Sequence, residues 1–304
     1  MNTVEAPAST PVVPSAGEPA PRGPQPARRT RPRSSLLDYP ATYLLIGINV
    51  LVFLAMTPQG PIPALLRAHA YGSILTAEFD PNLLLRFGSS MPGLILQYGQ
   101  WWRLITSTFV HVSLLHILLN MWCLWNLGIF GEPLLGRPGL IAVYLLTGAA
   151  GMLQSLAFSL GNQLTIVAGA SGAIFGIAGI LIVLLSNRKL ALPWEELRHL
   201  RRQVVFFAVA NLAIGLAPGA LPAFSPQYLH AMHLSPDTLP HIDNSAHIGG
   251  LLCGLALGWP LLPRMTSGRS SYRRRQAWVF GMAAVVLVLL GHMLGSFAHS
   301  LFVR

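Results

Sequence analysis

The stretch that decides the fold runs from Val167 to Leu185 and reads VAGASGAIFGIAGILIVLL. It contains no charged residue, and its length of about 20 residues is enough to cross the hydrocarbon layer of a bilayer as a helix. Glycine and alanine recur along it, as they do where membrane helices pack closely. Ser171 lies near its start, between Gly169 and Gly172. Small residues around a serine can simply permit packing or can expose its hydroxyl, and both interpretations stay open at this point.

The rest of the chain also has the composition of a membrane protein. Of its 304 residues, 53% are hydrophobic and only 10% are charged, which is outside the usual range of soluble domains. Apolar stretches of about 20 residues recur along the chain. They predict seven spans, at 42–58, 112–130, 138–158, 168–187, 203–221, 244–262 and 277–299. Trp101, Trp102 and Arg103 lie between the first two spans, in a segment that is typical of an interfacial or re-entrant insertion.

The net charge of +10 has a topological origin. The basic residues form no helix stripe, and most of them lie in the first 40 residues and in the segments after the second, fourth and sixth spans. The positive-inside rule then puts the N-terminus in the cytoplasm and, with seven spans, the C-terminus outside. We therefore expect no nucleic-acid partner. Residues 1–40, rich in proline and arginine, are expected to form a disordered cytoplasmic tail.

The sixth span opens with DNSAHIGG at residues 243–250. A histidine inside a span is costly and marks a functional site by default, although His247 could instead bond to a neighbouring helix. Small residues line one face of the fourth and sixth spans, namely Ala168, Gly172 and Gly176 in the fourth and Gly250, Gly254 and Gly258 in the sixth. We therefore expect the two helices to approach closely enough for Ser171 and His247 to interact.

The second span brings two further polar residues. His116 and Asn120 are four residues apart and so share a helix face. Both side chains can donate hydrogen bonds to a developing oxyanion, and the alternative is a polar clamp between helices. Because the second, fourth and sixth spans run in the same direction, their polar starts are predicted to meet in one layer, in the outer part of the bilayer.

Together these motifs resemble the rhomboid family of intramembrane serine proteases. The matching positions, in chain order, are Trp102, Arg103, His111, His116, Asn120, Gly128, Glu132, Gly136, Gly169, Ser171, Gly172, Ala246, His247, Gly250 and Gly254. The resemblance implies an all-α membrane protein. Its rhomboid-like six-helix catalytic core would occupy residues 41–263, and residues 264–304 would form a basic loop and a seventh transmembrane helix.

The resemblance also implies an activity. The chain would hydrolyse peptide bonds in or near the transmembrane segments of single-pass membrane proteins, within membrane lipid and without a cofactor or metal. Its site residues would be Ser171 as nucleophile, His247 as general base and acid, His116, Asn120 and the Ser171 amide as oxyanion donors, and Gly169 and Gly172 as the turn around the serine. We expect a multi-pass protein of the bacterial inner (plasma) membrane, with the active site toward the outer face.

Some side chains have two interpretations. Phe175 either stacks on His247 or packs in the core. Asp243 either completes a catalytic triad or caps the helix that follows it. Three loop histidines with irregular spacing, His230, His233 and His241, are more typical of a solvent-facing loop than of a metal site. The two cysteines, Cys123 and Cys253, are expected to be packing residues.

Other classes of protein fit the sequence less well. A catalytically inactive rhomboid-like protein that binds clients usually lacks the serine or the histidine, and this chain has both. A transporter would show an inverted repeat or charged residues along an ion path. An intramembrane metalloprotease would need an HExxH motif, which is absent from the sequence.

Overall fold

The computed structural model of the protein describes residues 38–67, 69, 74–188, 190, 193–220, 243–262 and 268–302. Residues Leu36–Arg304 form one compact unit. The tail expected at residues 1–40 lies almost entirely outside the described residues. The helices are α1 (Pro40–Met56), α2 (Ile62–Arg67), α3 (Pro81–Arg86), α4 (Pro92–Leu96), α5 (Arg103–Thr106), α6 (Leu114–Phe158), α7 (Ser171–Leu184), α8 (Trp194–Ala220), α9 (Asn244–Leu261) and α10 (Arg269–Phe302).

Each of the seven predicted spans coincides with a helical stretch. α6 carries the second and third spans as two arms, because Gly136 takes non-helical angles of φ 73° and ψ 166° and breaks the helix there. Within the described residues, three helical stretches are long and apolar enough to cross a membrane, namely Pro40–Gln59, Leu114–Phe158 and Arg269–Leu301. The predicted all-α membrane fold, with a six-helix core and a seventh helix, is confirmed.

The start of α7 differs from the prediction. The helix begins at Ser171, because Val167 is extended and pairs with Ser90, each backbone N–H donating to the other's carbonyl at 2.9 and 3.0 Å. Ala168 therefore precedes the helix and is not part of the small-residue stripe, so the prediction for that residue is wrong. α7 has 14 residues, which corresponds to about 21 Å against a hydrocarbon layer of about 30 Å. One end of α7 must lie within the layer.

α7 and α9 touch backbone to backbone, as their glycines predict. A Cβ atom added at Gly250 would lie 1.9 Å from the carbonyl oxygen of Gly172, and one at Gly254 would lie 2.0 Å from that of Gly176. Gly258 continues the same stripe against the side chain of Val183. The contacts ascend together along both helices, so α7 and α9 run parallel, as the predicted topology requires.

The second arm of α6 packs against both of these helices. A Cβ at Gly151 would lie 2.6 Å from the carbonyl oxygen of Ala246 in α9, and one at Gly176 in α7 would lie 2.0 Å from Oγ1 of Thr147. The Thr147 hydroxyl donates to the Val143 carbonyl of its own helix at 2.7 Å, so this polar group is satisfied inside the packed region. Glycine is the residue that allows three helices to meet at such short separations.

Glu132 in the first arm of α6 caps the start of α1. Its Oε1 accepts a hydrogen bond from the Ala41 N–H at 3.0 Å, and its Oε2 accepts from the N–H and the hydroxyl of Thr42, both at 2.8 Å. A Cβ at Gly128 would lie 2.4 Å from Thr42 Cγ2, so the glycine one turn earlier makes room for the capped residues. In this motif Gly128 allows a close contact between helices, Glu132 caps α1, and Gly136 breaks α6.

Residues 57–113, which join α1 to α6 and which we call the first loop, are held by Arg103. Its Nη1 donates to the carbonyl oxygens of Leu85 and Ser89, both at 2.8 Å, and its Nε donates to Gln100 Oε1 at 2.6 Å. The guanidinium also lies 4.5 Å from the centre of the Trp102 ring. The Trp–Arg pair seen in the sequence therefore organises this insertion.

We predict that Glu132→Ala lowers the free energy of unfolding by about 2–4 kcal/mol, because two backbone N–H groups and one hydroxyl lose their acceptor inside the protein. Glu132→Gln keeps one acceptor oxygen and should cost less. Thermal unfolding of both variants in the same detergent checks the order. Equal stability of Glu132→Ala and the unchanged chain would contradict the capping role.

We predict that Gly250→Ala destabilises the protein by about 1–3 kcal/mol, because the added methyl group meets a backbone carbonyl that cannot turn aside. The matched control is Gly47→Ala in α1, where an added Cβ has no atom within 4 Å. That control should be neutral or slightly stabilising, since alanine favours helix over glycine. Thermal unfolding again gives the comparison, and a Gly250→Ala variant as stable as the control would contradict the close contact.

Candidate active site

Ser171 is the first residue of α7 and follows an extended segment. The two backbone hydrogen bonds between Val167 and Ser90 hold that segment, and the Gly169 N–H donates to the Ser107 carbonyl at 2.9 Å. The N-cap residue of α7 is Ala170, whose side chain cannot cap the helix, so within the described residues the N–H groups of the first turn are available to an oxyanion. Ser171 is partly buried, which places its hydroxyl at the edge of the packed helices.

Gly169 is where the second and fourth spans meet. Its φ of +131° suits glycine, and a Cβ there would lie 2.7 Å from Cε1 and 2.9 Å from Nε2 of His116. The same Cβ would be 3.9 Å from Nδ2 of Asn120. Both predicted oxyanion donors therefore lie against the residue two positions before Ser171. The glycine is needed for its backbone angle and also for the space that the imidazole occupies.

The start of α6 orients these two side chains. Ser113 caps the helix, accepting from the His116 N–H at 3.3 Å, and Asn120 donates one Nδ2 hydrogen to the His116 carbonyl at 3.1 Å. Nδ1 of His116 is buried without a hydrogen-bond partner. The Asn120 amide carries two Nδ2 hydrogens, and this bond uses one of them. The second hydrogen is not used by this bond.

His247 is fixed by an aromatic ring. It is 6% exposed, and its imidazole stacks on Phe175 with centroids 4.4 Å apart and an interplanar angle of 14°. Of the two interpretations of Phe175, the structure therefore supports stacking. Because Phe175 lies one turn after Ser171 on α7, the stack links the histidine to the helix that carries the serine.

Asp243 is a helix cap. Its Oδ1 accepts from the N–H groups of Ser245 at 2.9 Å and Ala246 at 3.2 Å, and the carboxyl group also accepts from the hydroxyls of Ser245 and Ser155. Nδ1 of His247 is buried without a partner among the described residues, and no hydrogen bond joins the Asp243 carboxyl group to the imidazole. The structure therefore supports the capping interpretation of Asp243.

Ser171 and His247 lie at the starts of two parallel helices that are in contact. The residues beside them are in contact, since a Cβ at Gly172 would lie 3.3 Å from the carbonyl oxygen of Ala246. Although both side chains are described, no hydrogen bond joins the Ser171 hydroxyl to the imidazole. Such catalytic bonds are often long until substrate binds. The two residues are neighbours, and their action as a dyad stays a prediction.

A third histidine stands next to these groups. His111 is fully buried, and its ring meets that of His116 edge to face with centroids 5.1 Å apart. Burial lowers the pKa of His111 well below its ordinary value, and the neighbouring His116 lowers it further, while a contact with the Phe109 backbone raises it. Neither of its nitrogens has a hydrogen-bond partner.

The described part of the chain contains no group of three or more His, Cys, Asp or Glu side chains that could hold a metal ion. His230, His233 and His241 lie outside the described residues. Cys123 and Cys253 are unpaired and pack against the apolar core, as expected of small packing residues.

Sequence reasoning missed three residues that support the site. Ser90 and Ser107 hold the segment before Ser171 through backbone groups, and Ser155 donates its hydroxyl to Asp243 from another helix. Backbone pairing does not depend on the side chain, so the sequence could not predict the roles of Ser90 and Ser107. Ser155 is a small residue in a span, which by itself is typical of helix packing.

Comparison with known proteins shows which family the chain belongs to. The family described as "Rhomboid domain" matches residues 98–264, a range that includes every predicted site residue. Rhomboid protease GluP of Bacillus subtilis (strain 168) is 33% identical over 224 residues, which are 72% of this chain and 35% of that protein. RHOMBOID-like protein 6, mitochondrial, of Arabidopsis thaliana is 32% identical over 209 residues, which are 64% of this chain and 59% of that protein.

A further relative is Rhomboid-like protease 2 of Toxoplasma gondii, 30% identical over 178 residues, which are 59% of this chain and 53% of that protein. The aligned part of this chain thus spans between about a third and three fifths of the length of these relatives. The family match covers more than half of this chain, and it includes α5 to α9 with the glycine contacts between α6, α7 and α9. The chain is an integral membrane protein that belongs to the rhomboid family.

Proposed function

We propose that the chain is an intramembrane serine endopeptidase that acts through Ser171 and His247. One observation carries the proposal. The side chains of His116 and Asn120 lie against Gly169, beside the serine at the uncapped start of α7, while α9 presses His247 onto the same helix. Four polar side chains thus converge in a region built from apolar helices. Polar side chains in such a region are costly and by default indicate a functional site.

The proposed chemistry begins with proton transfer from Ser171 Oγ to His247 as the oxygen attacks the carbonyl carbon of the scissile peptide bond. The tetrahedral intermediate carries its negative charge on the former carbonyl oxygen. The Ser171 N–H, His116 and Asn120 are the donors for that oxyanion. His247 then gives its proton to the leaving amine, the C–N bond breaks, and an acyl ester remains on Ser171.

Water completes the reaction. His247 takes a proton from a water molecule, whose oxygen attacks the acyl carbon, and the ester bond to Ser171 breaks as the serine regains its proton. The products are a new carboxyl group and a free Ser171. Stacking on Phe175 keeps the imidazole in one orientation through both half-reactions, since a ring held between packed helices cannot rotate freely.

The proposed substrates are single-pass membrane proteins, cut in or near their transmembrane segments while surrounded by lipid. The shortness of α7 supports this, because Ser171 then lies below the surface of the hydrocarbon layer if the other end of α7 is at the opposite boundary. The distribution of basic residues supports a cytoplasmic N-terminus and a site toward the outer face. In this proposal residues 41–263 form the catalytic core, and residues 264–304 add a basic loop and the seventh helix.

We predict that a fluorophosphonate probe labels the protein in native membranes and that Ser171→Ala and His247→Ala abolish labelling, because the serine is unreactive without its base. Matched controls are Ser296→Ala and His292→Ala, which change exposed residues of α10 and should label normally. Cleavage of single-pass test proteins with helix-breaking residues should follow the same pattern, with losses of about 1,000-fold or more in kcat.

Undiminished cleavage by Ser171→Ala or His247→Ala would exclude the dyad. If the unchanged chain neither binds the probe nor cuts any test protein, the result favours the alternative of a catalytically inactive rhomboid-like protein that binds clients. Capture of uncut single-pass proteins by the unchanged chain would then be the expected behaviour.

We predict that His116→Ala and Asn120→Ala each lower kcat by about 100-fold while KM changes little, because an oxyanion donor acts in the transition state and not on the bound substrate. The control is Asn126→Ala, which removes a similar amide one and a half turns further along α6, where Nδ2 only donates to the Trp122 carbonyl. Kinetics with a cleavable single-pass substrate give both constants. A change in KM alone would argue for a polar clamp instead of an oxyanion site.

A further inference from the structure

The proposed chemistry uses no residue of α10, yet this helix is attached to the rest of the protein along one narrow face. Its buried positions are Tyr272, Gln276, Phe280, Gly291 and Ala298. These residues recur at helical spacing on a single side, and most of the remaining surface is exposed. A helix that served only as a membrane anchor would need no such contacts, and α10 makes them at both of its ends.

The first attachment is at the break in α6. Nε2 of Gln276 donates to the Leu135 carbonyl at 2.9 Å, and this bond is buried. The chain leaves helical angles at Gly136, so Gln276 bonds to the last carbonyl before the break. A Cβ at Gly139 would lie 2.9 Å from the same Nε2, so glycine there admits the amide. The start of α10 is therefore fixed to the turn between the two arms.

The second attachment is at the other end of α10, where Trp101 of the first loop rests on two glycines. A Cβ at Gly295 would lie 3.0 Å from Cζ2 of the indole, and one at Gly291 would lie 3.5 Å from Cζ3. Leu287 and Leu294 of α10 join the same apolar cluster, together with Ile95, Leu96, Leu104, Leu153 and Leu156. The absence of side chains at Gly291 and Gly295 creates the flat surface on which the indole lies.

From Trp101 a continuous set of contacts leads to the serine. Two residues after Trp101, Arg103 donates to the Ser89 carbonyl. The next residue, Ser90, exchanges two backbone hydrogen bonds with Val167, four residues before Ser171. Any displacement of the first loop at Trp101 would therefore act on the extended segment from which α7 starts.

We propose that α10 is a positioning element for the active site. By holding Trp101 in place, Gly291 and Gly295 fix the first loop, and the loop fixes Val167 and so the distance of Ser171 from His247. Gly295 and Trp101 are positioning residues in this scheme, since neither touches a reacting atom. The effect on reactivity rests on the proposed function, whereas the effect on the Ser90–Val167 pairing does not.

The test uses the full chain with Gly295→Leu, which puts a side chain where the indole lies. The matched control is Gly281→Leu on the same helix, where an added Cβ has no atom within 4 Å. We expect the rate of fluorophosphonate labelling at Ser171 to fall about 10-fold or more in Gly295→Leu, since small misplacements of a reacting group have large effects on rate. The rate should be unchanged in Gly281→Leu.

A complementary swap separates positioning from general loss of folding. Trp101→Ala should also slow labelling, because the loop loses its contact with α10. Combined with Gly295→Leu, it should label faster than either single variant, because the leucine fills the space that the indole leaves. Simple additivity of the two losses would overturn the proposal.

A second readout needs no catalytic activity. Ser90→Cys and Val167→Cys, in a chain whose Cys123 and Cys253 are replaced by alanine, should form a disulfide on mild oxidation, since directly opposed residues of an antiparallel pair lie within disulfide range. Cross-linking should fall in Gly295→Leu and persist in Gly281→Leu. If the unchanged chain is not labelled at all, the proposed function fails, and cross-linking alone then shows whether α10 holds Ser90 and Val167 together. Equal cross-linking in both variants would overturn the proposal.

Discussion

The contact on which the structure depends is the meeting of two helix backbones at Gly172 and Gly250. In lipid there is no hydrophobic drive between helices, so their association relies on close van der Waals packing. A Cβ on Gly250 would lie 1.9 Å from a carbonyl oxygen, hence no residue larger than glycine fits without moving a helix. If α7 and α9 were moved apart by the width of one methyl group, His247 would move away from α7. The stack on Phe175 and the proposed dyad both require this contact.

The polar groups inside the helical region divide into two kinds. Some are paired, as Glu132 is with the start of α1, and as Tyr144 is with Asn49 and the Thr108 carbonyl. Of the buried side-chain nitrogens in the described part of the chain, those without a partner all belong to His111, His116 and His247. Unpartnered side-chain oxygens occur in the same part of the chain on Ser89, Ser107, Gln163, Asn244 and Tyr272. Buried polar groups are normally satisfied, so in the proposed function the hydrogen bonds of the three histidines would be completed by substrate or water.

The sequence predicted those features that arise from periodicity in single helices. The glycine stripe of α9 and the four-residue spacing of His116 and Asn120 each follow from helix geometry, and alternation of direction predicted that three spans run parallel. The start of α7 was not predicted, because it depends on backbone bonds from Ser90 and Ser107, which any residue could make. The bond from Gln276 to the Leu135 carbonyl was also not predictable, since it joins residues 141 positions apart and depends on where a helix breaks.

The short length of α7 bears on which peptide bonds such a site could reach. A transmembrane substrate helix has its backbone carbonyls bonded to N–H groups four residues later and directed along the helix axis. Such a carbonyl would have to turn away from the helix to point at the proposed donors, Asn120 and His116. Under the proposed function, the scissile bond would therefore have to leave the helix before it reaches Ser171. In hydrocarbon an unbonded backbone is costly, whereas beside an uncapped helix start the freed carbonyl meets new donors. Substrates with glycine, proline or polar residues near the cut would open at lower cost, because their helices are weaker there.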